Sequence, residues 1–277
     1  MTPPRRWAGN ALLVAAAVAI VWFAACRPQP RAVRARAHTA EPVAKLQPPV
    51  VAAPVAPRAD VPRRYRGQVV RKRVRYFPER MLALTFDDGP DPQVTPVVLA
   101  TLKRHEARAT FFVLGRNVRR WPELVKQAAG EGHAVGSHAY SHPERCSPAE
   151  ARRQLAETAD LIEQATGDRP TLFRPPYGIT TGNLCETALG EDYTAVLWTI
   201  SSADSRPISA VTIAQNVIHT PNPGDIVLMH DGAGHAATAK ALEQILTELG
   251  ATGFRFVTLP ELLAAWDRWL GEQQLTE

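Results

Sequence analysis

Short apolar runs alternate with amphipathic stretches from about residue 80 to the end of the chain. Apolar runs of this length between turn residues are typical of buried strands, and they predict seven strands. The predicted strands cover residues 82–86, 109–113, 134–137, 171–173, 195–200, 226–229 and 254–258. Helical periodicity predicts helices at residues 95–105, 122–129, 148–166, 182–189, 209–219, 238–249 and 260–270. This alternation indicates an α/β protein with a parallel sheet, either doubly wound or a barrel.

Polar residues at the strand ends distinguish these two architectures. Charged or imidazole side chains lie at or just after the carboxyl ends of five predicted strands: Asp87, Asp88, His138, Arg174, Asp204 and His230. An open sheet concentrates its site at one switch point, whereas a barrel brings every carboxyl end around one mouth. The pattern therefore favours a barrel.

Residues 1–26 have the layout of an export signal. Two arginines precede an uncharged run at residues 11–25, which at 15 residues is shorter than a membrane-spanning helix. The segment Phe23-Ala24-Ala25-Cys26 resembles a bacterial lipobox, in which the cysteine is acylated and becomes the new N-terminus. A cleaved signal peptide, a lipoprotein signal and an uncleaved membrane anchor remain open. Each predicts an exported protein that is membrane-attached in the cell envelope or secreted.

Residues 27–79 differ in composition and periodicity from the rest of the chain. They contain nine prolines and no sustained helical or strand period, which predicts an extended linker. Residues 27–80 carry a net charge of +11, whereas residues 81–277 carry −8. The basic segment is either simply solvated or adheres to anionic wall polymers or lipid head groups. Because the folded part is acidic and no aromatic platform accompanies the arginines, we expect no nucleic-acid partner.

Composition limits the remaining classes. With 277 residues, 45% of them apolar, the chain has ordinary globular composition, which excludes disorder throughout. The three cysteines lack the C-x2-C spacing of a structural zinc site. Any metal must therefore be held by histidines and carboxylates.

The candidate chemistry begins with two adjacent carboxylates, Asp87 and Asp88, before Gly89-Pro90. If they are buried they need a cation or an arginine partner; otherwise this segment is an ordinary turn. His138 and His142 are four residues apart, a spacing that can aim both imidazoles at one point. Two imidazoles and a carboxylate suit Zn²⁺, Co²⁺, Mn²⁺, Ni²⁺ or Fe²⁺. At another strand end, His230 is either a catalytic acid or a hydrogen-bonded core histidine.

Five segments in order resemble the motifs of the NodB-type polysaccharide deacetylases, carbohydrate esterase family four. They are TFDDGP at 85–90, His-x3-His at 138–142, RPPYG at 174–178, a Trp-to-Asp segment at 198–204 and LMHD at 228–231. The resemblance covers about residues 80–265. It implies a distorted (β/α)7–8 barrel, here a NodB homology domain at residues 80–277, and a monomeric catalytic domain. It also implies a divalent-metal hydrolase that removes acetyl groups from N-acetylated sugars, with Zn²⁺ favoured over Co²⁺, Mn²⁺ and Ni²⁺.

The resemblance assigns roles to individual residues. Asp88, His138 and His142 would hold the metal. Asp87 would be the general base, oriented by Arg174, and His230 would protonate the departing amine. The backbone N–H of Tyr177 would stabilise the oxyanion. The remaining implied residues line the substrate: Pro176, Trp198 and Leu228.

Three positions depart from the family pattern. Ala139 replaces a Ser or Thr after the first metal histidine, which removes a hydroxyl and is expected to loosen metal binding. Ser201 replaces the carboxylate that raises the pKa of the acid histidine, so we expect a weaker acid at His230, unless Asp204 serves instead. Ser205 replaces an aromatic wall residue.

Two function hypotheses follow. The favoured one is an exported metal-dependent deacetylase acting on N-acetylglucosamine-type sugars of a polysaccharide, either peptidoglycan or a secreted or chitin-like glycan. The alternative is a catalytically inactive homologue that binds glycan without turnover. If Cys26 is lipidated, Cys146 and Cys185 remain as an even pair that either forms a bridge at the mouth or stays as two small unpaired apolar side chains.

Overall fold

Nine strands and eight α-helices alternate within residues 59–274, the part of the chain that our computed structural model describes. The strands are β1 Val69–Val70, β2 Met81–Asp87, β3 Ala109–Val113, β4 Ala134–Ser137, β5 Leu172–Phe173, β6 Thr194–Val196, β7 Ile200–Ser201, β8 Asp225–His230 and β9 Arg255–Phe256. The helices are α1 Thr95–Arg104, α2 Gly115–Arg120, α3 Pro122–Gly130, α4 Pro148–Thr166, α5 Asn183–Gly190, α6 Ala210–Ile218, α7 Ala236–Ala251 and α8 Leu259–Gln274. The predicted export signal lies outside the described residues. Among residues 59–274, none of the helices has the length and apolar composition needed to cross a membrane.

The strands form one parallel sheet in the order β1-β6-β5-β4-β3-β2-β8-β7, with β9 added beside β2. The central strand β2 is buried along its whole length, as its nearly unbroken apolar run predicts. Because all pairs are parallel, every strand ends at the same edge of the sheet. That edge is the mouth at which the predicted site residues meet.

The sheet curls into a half-barrel, which confirms the predicted distorted barrel. Strands β6 and β7 lie on opposite sides of the sheet order, yet only residues 197–199 separate them along the chain. Leu197 N–H donates to Val70 O on one side, and Thr199 N–H donates to Ile226 O on the other, each at 2.9 Å. The single strand predicted at residues 195–200 is therefore two strands, because the chain crosses between the two sides there.

The folded unit begins earlier than the sequence predicts. The sequence predicts a linker at residues 27–79, of which residues 27–58 lie outside the described part of the chain. Within residues 59–79, however, β1 pairs with β6, and the side chains of Val61, Val70 and Phe77 are buried. They pack in one cluster with Trp266 of α8. Isolated apolar residues between arginines and prolines show no period, so only their tertiary contacts identify them as core.

The helix α2 is also absent from the sequence prediction. Its residues are mostly polar, and only Gly115 and Val118 are buried. Two larger apolar clusters on either side of β2 carry the core, one with α1, α6 and α7 and the other with α8. The well-patterned helix α4 has the predicted bounds, with Ser147 as its N-cap and Gly167 in the left-handed conformation at its C-terminus.

Candidate active site

The two adjacent carboxylates lie together at the end of β2. Asp88 has a φ of 69°, so the extended alternation of side chains ends after Asp87. Oδ2 of Asp87 lies 3.8 Å from Nε2 of His138, and Oδ1 of Asp88 lies 3.6 Å from the same nitrogen. Gly89 follows, and a side chain there would overlap the carboxylate of Asp231. The segment thus forms a turn and also brings both carboxylates close to His138.

Asp88, His138 and His142 form a group that can hold a cation. Their ligand atoms lie within 4.8 Å of one another, with Nε2 of His142 3.8 Å from Oδ1 of Asp88. Nδ1 of His138 is 2.7 Å from Arg174 O, to which its N–H donates, so Nε2 presents a lone pair to the group. Oδ1 of Asp88 is buried and has no hydrogen-bond partner among the described residues. A buried carboxylate oxygen without a partner is costly, and a divalent cation would relieve that cost.

His142 is held in the form that binds metals. Burial lowers the pKa of His142, and the neighbouring His138 and Arg116 lower it further, although Asp88 and Asp87 act in the opposite direction. The neutral imidazole is the metal-binding form. The ring of His142 also packs edge-on against Tyr177, with 4.4 Å between the ring centroids.

One side chain of α4 holds the segment between the two histidines. Oε1 of Gln154 accepts the N–H groups of Tyr140 and Ser141 at 2.8 and 2.9 Å, and Nε2 donates to Ser141 Oγ at 2.8 Å. Gln154 is buried. The segment needs such support because Ala139 and His142 have φ values of 62° and 63°. Left-handed backbone at residues other than glycine costs about 1–3 kcal/mol each and persists only where the surroundings impose it.

Ala139 does not leave a polar gap where the family pattern has a hydroxyl. Its side chain is fully buried in an apolar cluster with Leu155 and Phe173. Gln154, which the sequence analysis did not single out, is the residue that fixes this segment. A glutamine inside an amphipathic helix gives no sequence signal apart from its place on the apolar face.

Arg174 is fully buried and directs Asp87. Its Nη1 donates to Oδ1 of Asp87 at 2.8 Å and to Thr85 Oγ1 at 2.7 Å. Its Nε donates to Val196 O at 3.0 Å, and the guanidinium lies 4.3 Å from the centroid of the Phe112 ring. Burial lowers the pKa of Arg174, and the hydrogen-bonded charge of Asp87 raises it back in part. The pair fixes the orientation of Asp87 from below the mouth.

His230 ends β8 directly beside Asp87, its partner in the register of the two strands. Oδ1 of Asp204 lies 2.8 Å from Nδ1 of His230, and Oδ2 of Asp204 accepts the His230 backbone N–H at 2.8 Å. Thr238 Oγ1 also donates to Oδ2 at 2.7 Å. Asp204 is thus fixed by three bonds and holds the imidazole in place.

This contact decides between two expectations. Burial lowers the pKa of His230, but the bond to Asp204 and the charges of Asp87, Asp204 and Asp88 outweigh burial and raise it to about 9. Ser201 is exposed, and its Oγ accepts only from Ala203 N–H among the described contacts. Of the two expectations for His230, a weaker acid or a contact with Asp204 in place of Ser201, the second describes the structure.

Asp231 and His235 also contact the site, although the sequence did not predict a role for either. Asp231 is buried; its N–H donates to Asp87 O at 3.0 Å, and its Oδ2 accepts from Thr95 Oγ1 at 2.5 Å. Burial raises the pKa of Asp231 to about 7, as do the charges of Asp87 and Asp88, against a lowering by Thr95. The ring of His235 stacks on that of His230 with 5.0 Å between centroids. Both residues lie close to His230 in the sequence, and this proximity could have identified them as candidates.

The remaining predicted residues line the mouth. Tyr177 has a φ of 57° in the turn Pro176–Gly178, and its side chain is 63% exposed. The guanidinium of Arg174 lies 5.8 Å from the centroid of the Trp198 ring, and Leu228 is buried on β8. Ser205 is exposed. All eleven predicted site residues therefore lie at the strand ends or loops of one mouth: Asp87, Asp88, His138, His142, Arg174, Pro176, Tyr177, Trp198, Asp204, Leu228 and His230.

The two cysteines within the described residues are both free thiols. Cys185 is buried on α5 in the cluster with Phe173, and burial raises the pKa of its thiol. The carbonyl of Cys146 accepts from Asn183 Nδ2 at 2.9 Å, so the two loops touch without a bridge. Of the two expectations, the unpaired one describes the structure.

Comparison with known proteins places this geometry in a family context. The sequence profile described as polysaccharide deacetylase matches residues 75–196. A peptidoglycan-N-acetylglucosamine deacetylase of Bacillus cereus is 40% identical over 185 residues, which are 65% of this chain and 67% of that protein. The peptidoglycan-N-acetylglucosamine deacetylase PgdA of Listeria monocytogenes is 42% identical over 185 residues, which are 66% of this chain but 39% of that protein.

A solved structure shows the same fold. The crystal structure of the Bc1960 peptidoglycan N-acetylglucosamine deacetylase, in complex with an N-oxidanyl-benzamide ligand, has a TM-score of 0.65 and 38% sequence identity to this chain. The similarity covers 67% of this chain and 89% of that one.

Proposed function

The chain belongs to the polysaccharide deacetylase family, and from this premise we propose that it hydrolyses the N-acetyl groups of N-acetylglucosamine-type sugars in peptidoglycan. The observation that carries the proposal is the arrangement of the mouth. The group Asp88–His138–His142 lies beside the buried pair Asp87–Arg174, and β8 places the pair His230–Asp204 next to both. A cation site, a base and an acid are the parts that amide hydrolysis requires.

Asp88, His138 and His142 would hold one divalent metal, with Zn²⁺ favoured by two imidazoles and one carboxylate and with Co²⁺, Mn²⁺ and Ni²⁺ as alternatives. The metal would supply Lewis acidity toward the acetyl carbonyl and lower the pKa of water in the site.

Asp87 is the proposed base. It takes a proton from the attacking water, because the Arg174 bond holds its Oδ1 and leaves Oδ2 facing the histidine group. Thr85 and Val196 hold Arg174 in turn, so the carboxylate cannot rotate away.

His230 is the proposed acid. Its imidazole keeps a proton on Nδ1 through the bond to Asp204, and its other nitrogen donates a proton to the departing amine. The backbone N–H of Tyr177 stabilises the oxyanion. The side chains of Pro176, Trp198 and Leu228 enclose the acetyl methyl group.

The proposal extends to the location of the chain. An enzyme that acts on peptidoglycan works outside the cytoplasm, which agrees with the export signal predicted at residues 1–26 and a membrane attachment through Cys26 or the apolar run. Residues between this signal and residue 59 would then tether a monomeric catalytic domain to the envelope. The catalytic domain would include Val61, Val70 and Phe77, which pack with Trp266, in addition to the predicted residues 80–277.

Acetate release from purified peptidoglycan and from N-acetylated chitooligosaccharides, together with metal analysis of the full chain, tests the proposal. We expect one metal per chain and release of acetate that is lost on chelation and restored by Zn²⁺. Glycan binding without acetate release in the metal-loaded protein would instead support the inactive glycan-binding homologue.

A further inference from the structure

One face of α2 carries three arginines beside the mouth. Arg116, Arg119 and Arg120 are all exposed, and their spacing of three and four residues places them on the same side of the helix. Gly115 and Val118 are buried on the other side. Because α2 starts two residues after β3 ends, this face lies at the carboxyl edge of the sheet.

Hydrogen bonds fix α2 to both segments that carry the candidate metal ligands. Gly115 N–H donates to Ala139 O at 3.0 Å, and Arg116 N–H donates to Tyr140 O at 3.1 Å. Nδ2 of Asn117 donates to Asp88 O at 2.8 Å. The guanidinium of Arg119 lies 5.2 Å from the centroid of the Tyr140 ring, in the segment between His138 and His142. The arginine face therefore borders the site directly.

The ion pairs of the described residues set these three arginines apart from others on the surface. Within residues 59–274, no ion pair joins Arg116, Arg119 or Arg120 to a carboxylate, whereas Arg153 and Arg169 on other surfaces each pair with two acids. Residues 81–277 carry a net charge of −8, so the charge of this cluster of three arginines is opposite in sign to the net charge of the domain. Unpaired charges of one sign beside a cleft attract a ligand of the opposite sign.

We propose that Arg116, Arg119 and Arg120, here called the arginine rim, bind carboxylates that flank the acetylated sugar. The inference rests on the proposed deacetylase function and adds its substrate preference. Peptidoglycan carries free carboxylates on its stem peptides, and on lactyl groups that bear no peptide, whereas chitin carries none. Guanidinium groups bind carboxylates through two parallel hydrogen bonds, and exposed pairs contribute modestly each. The rim therefore selects glycan strands that bear anionic peptides over neutral glycans.

The test compares two matched substrates. Soluble peptide-bearing fragments of peptidoglycan are used as isolated and after conversion of their carboxylates to uncharged methylamides. The rim variant is the triple substitution Arg116→Gln, Arg119→Gln and Arg120→Gln. The control triple substitution removes the same charge from exposed arginines that form no ion pair within the described residues: Arg63→Gln, Arg66→Gln and Arg268→Gln.

We expect the rim variant to lower kcat/KM on the charged fragments by roughly 5- to 10-fold more than on the uncharged fragments, because any effect of Arg116 on His142 is common to both substrates. The preference of the unaltered chain for charged fragments should shrink between about 0.1 M and about 1 M ionic strength, where the Debye length falls from ~10 to ~3 Å. An equal loss on both substrates, an equal loss in the control variant, or no preference in the unaltered chain would overturn the proposal.

Failure of the proposed function gives a different result. If the metal-loaded chain releases acetate from neither fragment, the proposed deacetylase activity is wrong. The proposal for the arginine rim is then tested by binding alone. Tighter binding of the charged fragments that is lost in the rim variant supports it. Equal binding of both fragments rejects it.

Discussion

Two histidines at the same mouth have pKa values that are shifted in opposite directions. His142, on the β4 side, faces His138, and burial with that neighbour lowers its pKa. His230, on the β8 side, is buried as well, but its bond to Asp204 and the nearby carboxylates raise its pKa to about 9. The first is prepared to bind a cation and the second to keep a proton.

The difference teaches that partners, rather than burial, determine what a histidine does here. Burial alone lowers the pKa of an imidazole at both positions. At His230 a carboxylate fixed by Thr238 reverses that effect. A cation held by Asp88 and the two histidines would offset the field of Asp88, whereas the bond to Asp204 would still raise the pKa of His230. The following predictions test this contrast between His142 and His230.

Removing a ligand on the β4 side should have the largest effect. Asp88→Ala or His142→Ala is expected to lower metal affinity by more than about 100-fold and to abolish turnover, because two ligands cannot hold the cation. Metal titration and acetate release measure this, with circular dichroism as the check on folding. Glu144→Gln, an exposed acid near His142, is the control and should bind metal normally. Normal turnover in the ligand variants would reject the assignment.

Neutralising the base should separate chemistry from metal binding. Asp87→Asn is expected to keep the metal and to lower kcat by roughly 100-fold or more, because the amide cannot accept the water proton. Metal content and kcat are measured on the same preparation. A loss of metal instead would mean that Asp87 and Asp88 exchange roles.

Loosening the histidine segment should weaken the cation site by a smaller amount. Gln154→Leu removes the bonds that fix Tyr140 and Ser141, and we expect metal affinity to fall by roughly 10- to 100-fold. Competition with a chromophoric chelator gives the affinity. Gln127→Leu, at an exposed glutamine of α3, should leave it unchanged. Unaltered affinity in Gln154→Leu would show that the segment is held without this side chain.

Removing the partner of His230 should shift a pH profile. Its carboxylate neighbours raise the pKa of His230 to about 9 without a bound cation, so kcat of the metal-loaded enzyme should fall along an alkaline limb between the ordinary value of 6.5 and about 9. Asp204→Asn is expected to move this alkaline limb down toward the ordinary value of 6.5. The pair also stabilises the fold, fully below pH 6.5 and progressively less as the pH rises through about 9. Thermal unfolding across this range measures the effect on stability. An alkaline limb that does not move in Asp204→Asn would show that Asp204 does not raise the pKa of His230.

The smallest expected effect is at Ser201. A carboxylate at position 201 would match the family pattern, but Asp204 already bonds to His230 and Ser201 is exposed. We therefore expect the alkaline limb of kcat to stay unchanged in Ser201→Asp. A clear upward shift would show that the bond to Asp204 leaves the imidazole incompletely tuned.

The sequence predicted the residues of the site better than their partners. Asp87, Asp88, His138 and His142 follow strands with clear apolar runs, so their position at a common mouth could be predicted. The partner of His230 could not, since Ser201 and Asp204 are three residues apart and only the crossing at residues 197–199 decides which one reaches the imidazole. Gln154 acts across a loop, from α4, and no local pattern identifies such a contact.

By itself the sequence determined most of the order of strands and helices, apart from β1, α2 and the division between β6 and β7. It also determined the parallel α/β class and the charged side chains at the strand ends, because periodicity and turn residues are local properties of the chain. Only the tertiary structure decided that residues 59–79 belong to the core, that α2 presents an arginine face, that Cys146 and Cys185 stay apart and that Asp204 governs His230. Each of these depends on groups distant in sequence meeting in a buried or crowded space. Burial, pairing and the resulting pKa are properties of that space, which no single segment encodes.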